Sequence, residues 1–202
     1  MSDLLLATAN RSKQREFGRL LAGIPGRLVF PQDVGIELDV PEPYPTYAGN
    51  AAAKAEAYCR ASGLLSLADD SGIEVEALDW GPGVVTARYG GDDVDDRVAL
   101  LLEAVGDSPR RAARMVCVLA LATPSPRPGA SPRIEAFHGE MHGELARERR
   151  GEGGFGYDPV FLLPNGCTTA ELPDGQKDAI SHRGRAVAAV MPRLQALMAV
   201  PA

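Results

Sequence analysis

Leu4-Leu5-Leu6-Ala7-Thr8-Ala9-Asn10-Arg11-Ser12-Lys13 is an apolar run that ends in a polar turn and gives way to a helical pattern. Four apolar residues in succession read as a strand buried on both faces. Thr8-Ala9-Asn10 carries turn chemistry. From Lys13 to Ala22, Phe17, Leu20 and Leu21 fall on one helical face. Strand, loop and helix in that order open an α/β fold. The same order puts a helix N-terminus, with its unpaired N–H groups and positive dipole end, directly after a strand, which favours an anion. Arg11 and Lys13 add full charges. An ordinary N-cap with solvated basic residues fits the same letters, and no G-x-x-x-x-G-K-[ST] loop is present.

Working outward, Leu28 to Phe30 reads as a second strand. Pro31 to Pro45 holds four prolines and several acids, so a loop is expected. Thr46 to Ala61 is Ala-rich and predicts a long helix with Thr46 as N-cap. Leu64 to Ala68 predicts a strand that stops at Asp69-Asp70-Ser71-Gly72, a turn signal. Ile73 to Leu78 alternates like a strand or hairpin arm, and Gly81-Pro82-Gly83 breaks it. Asp93 to Val105 predicts an amphipathic helix. Arg114 to Thr123 and Ile134 to Leu145 read as two strands of an antiparallel hairpin, joined by the exposed loop Pro124 to Pro132. Gly151 to Gly156 is a glycine-rich loop, with a strand expected at Pro159 to Leu163. Ser181 to Met198 closes the chain as a helix, and Pro192 predicts a kink or break in it. A mixed sheet flanked by helices is the fold class.

Four clusters can carry chemistry. The first is the Thr8–Lys13 loop. The second is Asp69-Asp70-Ser71-Gly72, where two carboxylates at a buried strand need a cation to offset their desolvation. Magnesium suits such oxygens, and an aspartate can take a proton from water. Two close carboxylates also raise one pKa, so Asp69 is expected to tune Asp70. Solvated acids in a surface turn remain the alternative. The third is Gly151 to Pro159. Its four glycines permit close approach, and Phe155 and Tyr157 offer flat faces to a base, or else fill the core. The fourth is Lys177 with Ser181-His182-Arg183-Gly184-Arg185, donors that suit phosphate or a purine carbonyl oxygen. His138 and His142 are four apart but sit in a strand pattern, so no metal role is expected. Cys117 lies in an apolar run and reads as a buried thiol.

The 202 residues suit one domain, or one with two joined lobes. A 45% hydrophobic and 24% charged composition argues against disorder. A net charge of −6 argues against binding a nucleic acid polymer. Three dispersed cysteines without a C-x-x-C pair argue against disulfides or structural zinc and suit a reducing cytoplasm. No basic n-region precedes the first apolar run, and no stretch reaches membrane-spanning length, so neither a signal peptide nor a membrane is expected.

Six segments in order carry a resemblance: Leu5 to Lys13, Asn50 to Ala55, Ala68 to Gly72, Pro82-Gly83 with Ala87-Arg88-Tyr89, Gly153 to Pro159, and Ser181 to Gly184. Together they resemble the non-canonical purine nucleoside triphosphate pyrophosphatases, also called inosine triphosphate pyrophosphatases or the Ham1/RdgB-like family, from Leu4 to about Leu197. The resemblance implies an elongated mixed β-sheet with two lobes and a cleft between them, one pyrophosphatase domain over residues 1–202, Mg²⁺ as cofactor and a homodimer. It implies cleavage of ITP, dITP and XTP to the monophosphate and pyrophosphate. It maps Thr8, Ala9, Asn10, Arg11, Ser12, Lys13 and Lys54 onto phosphate binding, Asp70 onto catalytic base and metal ligand, Glu42 onto a second metal position and Ser71 onto a substrate contact. Phe155, Gly156, Tyr157, Asp158, Lys177, His182 and Arg183 fall on nucleoside-binding positions. Two departures stand out. Ala9 replaces a glycine, which requires a negative φ there. Gly49 replaces a glutamate, which shifts any metal load onto Glu42 and Asp70.

His182 and Arg183 are donors and would favour the 6-oxo acceptor of inosine and xanthine over the amino group of adenine. Rival readings are a Maf-like pyrophosphatase acting on modified pyrimidines or canonical nucleotides, a nucleotide-binding regulator without turnover, and a phosphotransferase, for which no kinase signature exists.

Overall fold

A computed structural model describes residues 2–90, 93–127 and 129–199, Val94 without its side chain. Pro128, in the middle of the expected loop Pro124 to Pro132, lies outside the described residues. Among the described residues seven strands form one mixed sheet: β1 (Asp3–Leu6), β2 (Arg27–Val29), β3 (Leu65–Val75), β4 (Gly81–Pro82), β5 (Ala112–Thr123), β6 (Arg133–Leu145) and β7 (Phe161–Leu162), in the order β2-β1-β3-β5-β6-β7, with β4 beside β3. β1 pairs parallel with β2 and β3, whereas β3–β4 and β6–β7 are antiparallel. The α-helices of the described residues are α1 (Arg11–Leu20), α2 (Tyr47–Ser62), α3 (Val94–Val105), α4 (Asp174–Ile180) and α5 (His182–Met198).

The chain divides into two compact units. The first comprises Met1–Asp70, Cys117–Gly139 and Arg183–Ala202; the second comprises Ser71–Val116 and Glu140–His182. In the first unit, strand alternation sorts side chains to two faces. Leu4, Leu6, Leu67, Cys117, Leu119 and Leu121 pack with Phe17 and Leu21 and with Val187, Val190 and Leu194 of α5. Leu5, Ala7, Ala68, Ala120 and Ala122 pack on the other face with Ala51, Ala55, Tyr58 and Cys59 of α2. Burial on both faces explains why β1 and β5 read as unbroken apolar runs. Small residues on sheet and helix alike let α2 lie close to the strands, which accounts for its alanines. Ala120 is fully buried at that contact. Ala120→Leu is therefore expected to overpack it and cost about 1–3 kcal/mol, measurable as a lowered midpoint in denaturant with an unchanged slope.

The second unit has its own core of Ile73, Val75, Val98, Leu101, Val105, Met115, Met141, Leu145, Tyr157 and Phe161. The buried Arg111 guanidinium donates to the carbonyls of Leu145 (2.7 Å), Gly106 (2.8 Å) and Ala146 (2.7 Å), so an arginine serves there as a backbone tie.

Three expectations need correction. β3 does not stop at Ala68 but continues through Asp69-Asp70-Ser71-Gly72 to Val75. Its acids are tolerated in a strand because each meets a partner, as described below. Of the kink or break expected at Pro192, the break is absent, since Pro192 lies inside α5, one helix to Met198. The strand expected at Pro159 to Leu163 is shorter: a 3₁₀ turn at Asp158–Val160 leads into the two-residue β7. Helix α4 was not expected at all; its seven residues give too short a pattern.

Candidate active site

The first unit gathers the acidic and basic residues that the sequence left in separate segments. β1 delivers the chain to α1, and Asn10 caps that helix, its Oδ1 accepting from the N–H groups of Ser12 (2.9 Å) and Lys13 (3.1 Å). Asn10 N–H in turn donates to Thr8 Oγ1 at 3.2 Å. The first free donors of α1 are thus taken by an Asx cap. Asp79 and Trp80 are the only non-glycine residues with positive φ among those described. Ala9 is not one of them, so its methyl group stands where a glycine would without backbone strain.

Adjacent strand residues point to opposite faces, and this separates the two aspartates of β3. Asp69 turns toward α1 and forms an ion pair with Lys13, Nζ to Oδ2 2.8 Å. Burial pushes its carboxyl upward, but Lys13, Lys54 and Arg183 outweigh that and hold it well below the usual carboxylate range. Asp70 turns toward α2 and accepts from Asn50 Nδ2 at 3.0 Å. Asn50 is fully buried, and its Oδ1 accepts from Tyr44 N–H at 3.0 Å, so one amide ties the 40–46 loop to Asp70. Asp70 is raised above the usual range, chiefly by burial and also by Glu42, while Asn50, Lys54 and Lys13 draw it down. The carboxylate that raises Asp70 is therefore Glu42, not the sequence neighbour Asp69.

Lys54, on α2, spans the set. Its ammonium donates to Glu42 Oε1 at 2.6 Å and to the Asp69 carbonyl at 2.5 Å. Burial lowers Lys54, but Asp69 and Glu42 more than offset it, so the net shift is upward and the charge is kept. Cys117 is buried beside this cluster, and burial drives its thiol far upward, which leaves no nucleophile there. Beneath the cluster, Arg183 of α5 pairs with Glu16 of α1, Nη1 to Oε2 3.1 Å, both buried.

Two hard carboxylates, Asp70 and Glu42, stand in this cluster, both under the influence of Lys54. No group of three or more His, Cys, Asp or Glu side chains among the described residues is arranged as a metal cage. Two carboxylates suit magnesium, which keeps its waters and takes substrate phosphates for the rest. A Cβ on Gly49 would stand 2.7 Å from Tyr44 Cβ, so Tyr44 occupies the room that a side chain at Gly49 would need.

The second unit builds a different site around Asp158. Its Oδ2 accepts from Lys177 Nζ at 2.6 Å and from Phe155 N–H at 2.7 Å, and its Oδ1 lies 2.8 Å from the Thr169 hydroxyl. Lys177 also stands 5.2 Å from the centre of the Phe155 ring. Asp158 and Lys177 are 1% and 2% exposed, so they bind each other rather than offering open charges. Of the two aromatics read as stacking faces, Phe155 is half-buried in the glycine loop, whereas Tyr157 belongs to the core. The Tyr157 hydroxyl donates to the Thr86 carbonyl at 3.3 Å, and burial pushes its pKa up to about 12. Ser71 and Gly156 are half-buried, and His182 is buried at the start of α5.

The sequence profile of the Ham1 family matches residues 4–193. The chain belongs to the Ham1 family. Among its relatives, the dITP/XTP pyrophosphatase of Symbiobacterium thermophilum is 44% identical over 200 residues, 96% of each chain. That of Mycolicibacterium paratuberculosis is 46% identical over 206 residues, 98% of each. The solved Ham1 protein of Staphylococcus aureus superposes with a TM-score of 0.84 at 32% identity, over 97% of this chain and 100% of that one. The dITP/XTP pyrophosphatase of Mycobacterium abscessus superposes with a TM-score of 0.72 at 41% identity, over 95% and 99%. In this Ham1 chain Lys13, Lys54, Glu42 and Asp70 lie together in the first unit, and Phe155, Asp158 and Lys177 in the second.

Sequence reading assigns no role to Asn50, although it opens one of the segments that carry the resemblance, and does not mark Glu16 or Thr169. An asparagine inside an Ala-rich helix is unfavourable on its own account, and that signal pointed to a tertiary partner. Glu16 and Thr169 carry no such mark, since each is an ordinary residue in its local pattern.

Proposed function

We propose that this protein hydrolyses non-canonical purine nucleoside triphosphates (ITP, dITP and XTP) to the monophosphate and pyrophosphate, with Mg²⁺ as cofactor. The observation that carries this reading is Asp70, a carboxylate oriented by Asn50 among Lys13, Lys54 and Glu42. Relatives named dITP/XTP pyrophosphatase, aligned over nearly the whole chain, supply the substrate class. The match across residues 4–193 runs through both units and supports one working domain.

Asp70 and Glu42 would hold the magnesium, which supplies positive charge against the phosphate oxygens. Asp70 accepts the proton of the attacking water as its oxygen bonds to the α-phosphorus. The bond from that phosphorus to the bridging oxygen breaks, and pyrophosphate leaves. An ammonium has three donors, so Lys13 keeps Asp69, Lys54 keeps Glu42, and each still offers a hydrogen to phosphate. Thr8 to Ser12 complete the phosphate contacts, and Ser71 adds a substrate contact. Phe155 offers a ring to the base, and His182 and Arg183 favour its 6-oxo group. A homodimer in the cytoplasm belongs to the same proposal, supported by the family likeness and by three cysteines that form no disulfide. No helix of the described residues is long and apolar enough to cross a membrane.

The test is pyrophosphate release from ITP, dITP, XTP, ATP, GTP, dTTP and UTP, with and without Mg²⁺. The expected result is release from the first three, dependent on Mg²⁺. Preference for dTTP or UTP would move the reading to pyrimidine substrates, and binding without release would reduce the protein to a nucleotide sensor.

A further inference from the structure

Asp158 is tied down by three donors, and two of them, Lys177 and Thr169, lie outside every segment that marks the family; Thr169 is also the one that the resemblance gives no role. The glycine loop lies flat on the turn Thr169–Glu171. Gly153 N–H donates to the Ala170 carbonyl at 3.0 Å, and a Cβ on Gly151 or Gly153 would come within 2.6 or 2.8 Å of Ala170 backbone atoms. Thr168 Oγ1 donates to the Arg150 carbonyl at 2.7 Å, and Arg150 pairs with Glu171 at 3.0 Å. These contacts fix the start of the loop. Its far end, with Phe155, is tied to Asp158. Phe155 N–H and Lys177 share Oδ2, and the hydroxyl of Thr169, itself fully buried, meets Oδ1. Without that third donor the carboxylate has two ties on one oxygen and can rotate about its last bond. Phe155 N–H and the ammonium over the Phe155 ring would move with it.

We propose that Thr169 is a positioning residue for base recognition, acting through Asp158 to hold Phe155 in place. This rests on the pyrophosphatase reading given above. The Thr169 hydroxyl is engaged with Asp158, 2.8 Å from Oδ1 and 3.1 Å from the backbone carbonyl, and the proposed phosphate chemistry uses neither residue. Its effect should therefore fall on the nucleoside and spare the phosphates. The same geometry gives Lys177 and Asp158 their place: each is buried and engaged by the other, and they act on the base by presenting Phe155.

The test pairs Thr169→Val, which keeps the shape and removes the hydroxyl, with Thr169→Ser, which keeps the hydroxyl. Two readouts are needed. Amide exchange of Phe155 reports positioning without any substrate, and it should quicken on the order of tenfold in the valine variant and stay at the wild-type rate in the serine variant. Steady-state kinetics with dITP should show KM raised on the order of fivefold in Thr169→Val, kcat within about twofold of wild type, and inhibition by pyrophosphate unchanged. Wild-type exchange at Phe155 in Thr169→Val would overturn the positioning role. Fast exchange with an unmoved KM for dITP would overturn its link to the base, as would a valine variant that loses kcat and pyrophosphate inhibition together. Wild-type protein that fails to turn over dITP would sink the pyrophosphatase reading instead, and the exchange experiment would still decide whether Thr169 holds the loop.

Discussion

Asp70→Asn is expected to lower turnover at least about 10³-fold and, at the same time, to raise the thermal midpoint of the metal-free protein at neutral pH. The first half follows from the chemistry assigned to Asp70, because an amide takes no proton from water and is a poor magnesium ligand. The second half follows from the sign of the shift. Burial, helped by Glu42, raises Asp70 above its ordinary value, so the fold disfavours the ionised form. A group whose folded pKa is raised costs stability at any pH above that pKa, and the cost disappears as pH falls through it. The neutral asparagine removes the cost at neutral pH, and its carbonyl oxygen still accepts from Asn50 Nδ2. Melting curves at neutral and acidic pH, with and without Mg²⁺, check this. The gain of the variant over wild type should shrink toward low pH. Added Mg²⁺ should stabilise wild type more than the variant, because only the wild type binds it well. A variant that melts lower at neutral pH would mean that the fold favours the carboxylate. Near-native turnover would remove Asp70 from the chemistry altogether.

The resemblance gives the proposed role to Asp70, but nothing local in Asp69-Asp70 distinguishes the two aspartates physically. The sequence marks where strands begin, because β1 and β5 are buried on both faces and so become continuous apolar runs. It marks α2 through its alanines and through the Thr46 cap, whose Oγ1 accepts from Gly49 N–H at 3.1 Å. It does not mark the end of β3, since paired acids followed by serine and glycine have the composition of a turn. They form a strand because Lys13 and Asn50, distant in sequence, neutralise or bond each carboxylate. The division of labour between Asp69 and Asp70 comes from strand alternation, which is visible only once the strand is known to continue. The same holds for Lys177. In the sequence it is one cation near a helix start, indistinguishable from a solvated one; in the fold it is buried against Asp158. For Tyr157 the structure takes the core alternative, which the sequence left open because two aromatics flanking a glycine in a loop do not show which of them turns inward.

The buried pair in the second unit sets the scale of the other large effect. Lys177→Met is expected to destabilise the protein by about 3–5 kcal/mol, because it leaves the Asp158 carboxylate buried without its cation. In a chain of this size that is a fall in melting midpoint of about 6–20 °C. Methionine fills much of the space of the lysine stem, so packing alone would lose far less. The charge argument makes a sharper statement. Lys177→Met combined with Asp158→Asn should recover much of the loss, since a neutral amide needs no cation and can still accept from Phe155 N–H. The exposed pair Arg60–Glu56, also a short 2.8 Å contact, supplies the comparison within the same molecule. Arg60→Met there should cost only about 0.3–0.5 kcal/mol, because water already solvates both groups and screens their attraction. Denaturant unfolding of the three variants separates the contributions. If the double variant were no more stable than Lys177→Met alone, the loss would be one of packing, and Asp158 would not be holding a charge that the fold must answer. The recovered fold would still lack the ammonium behind the Phe155 ring, so the double variant should regain stability while its KM for dITP stays high.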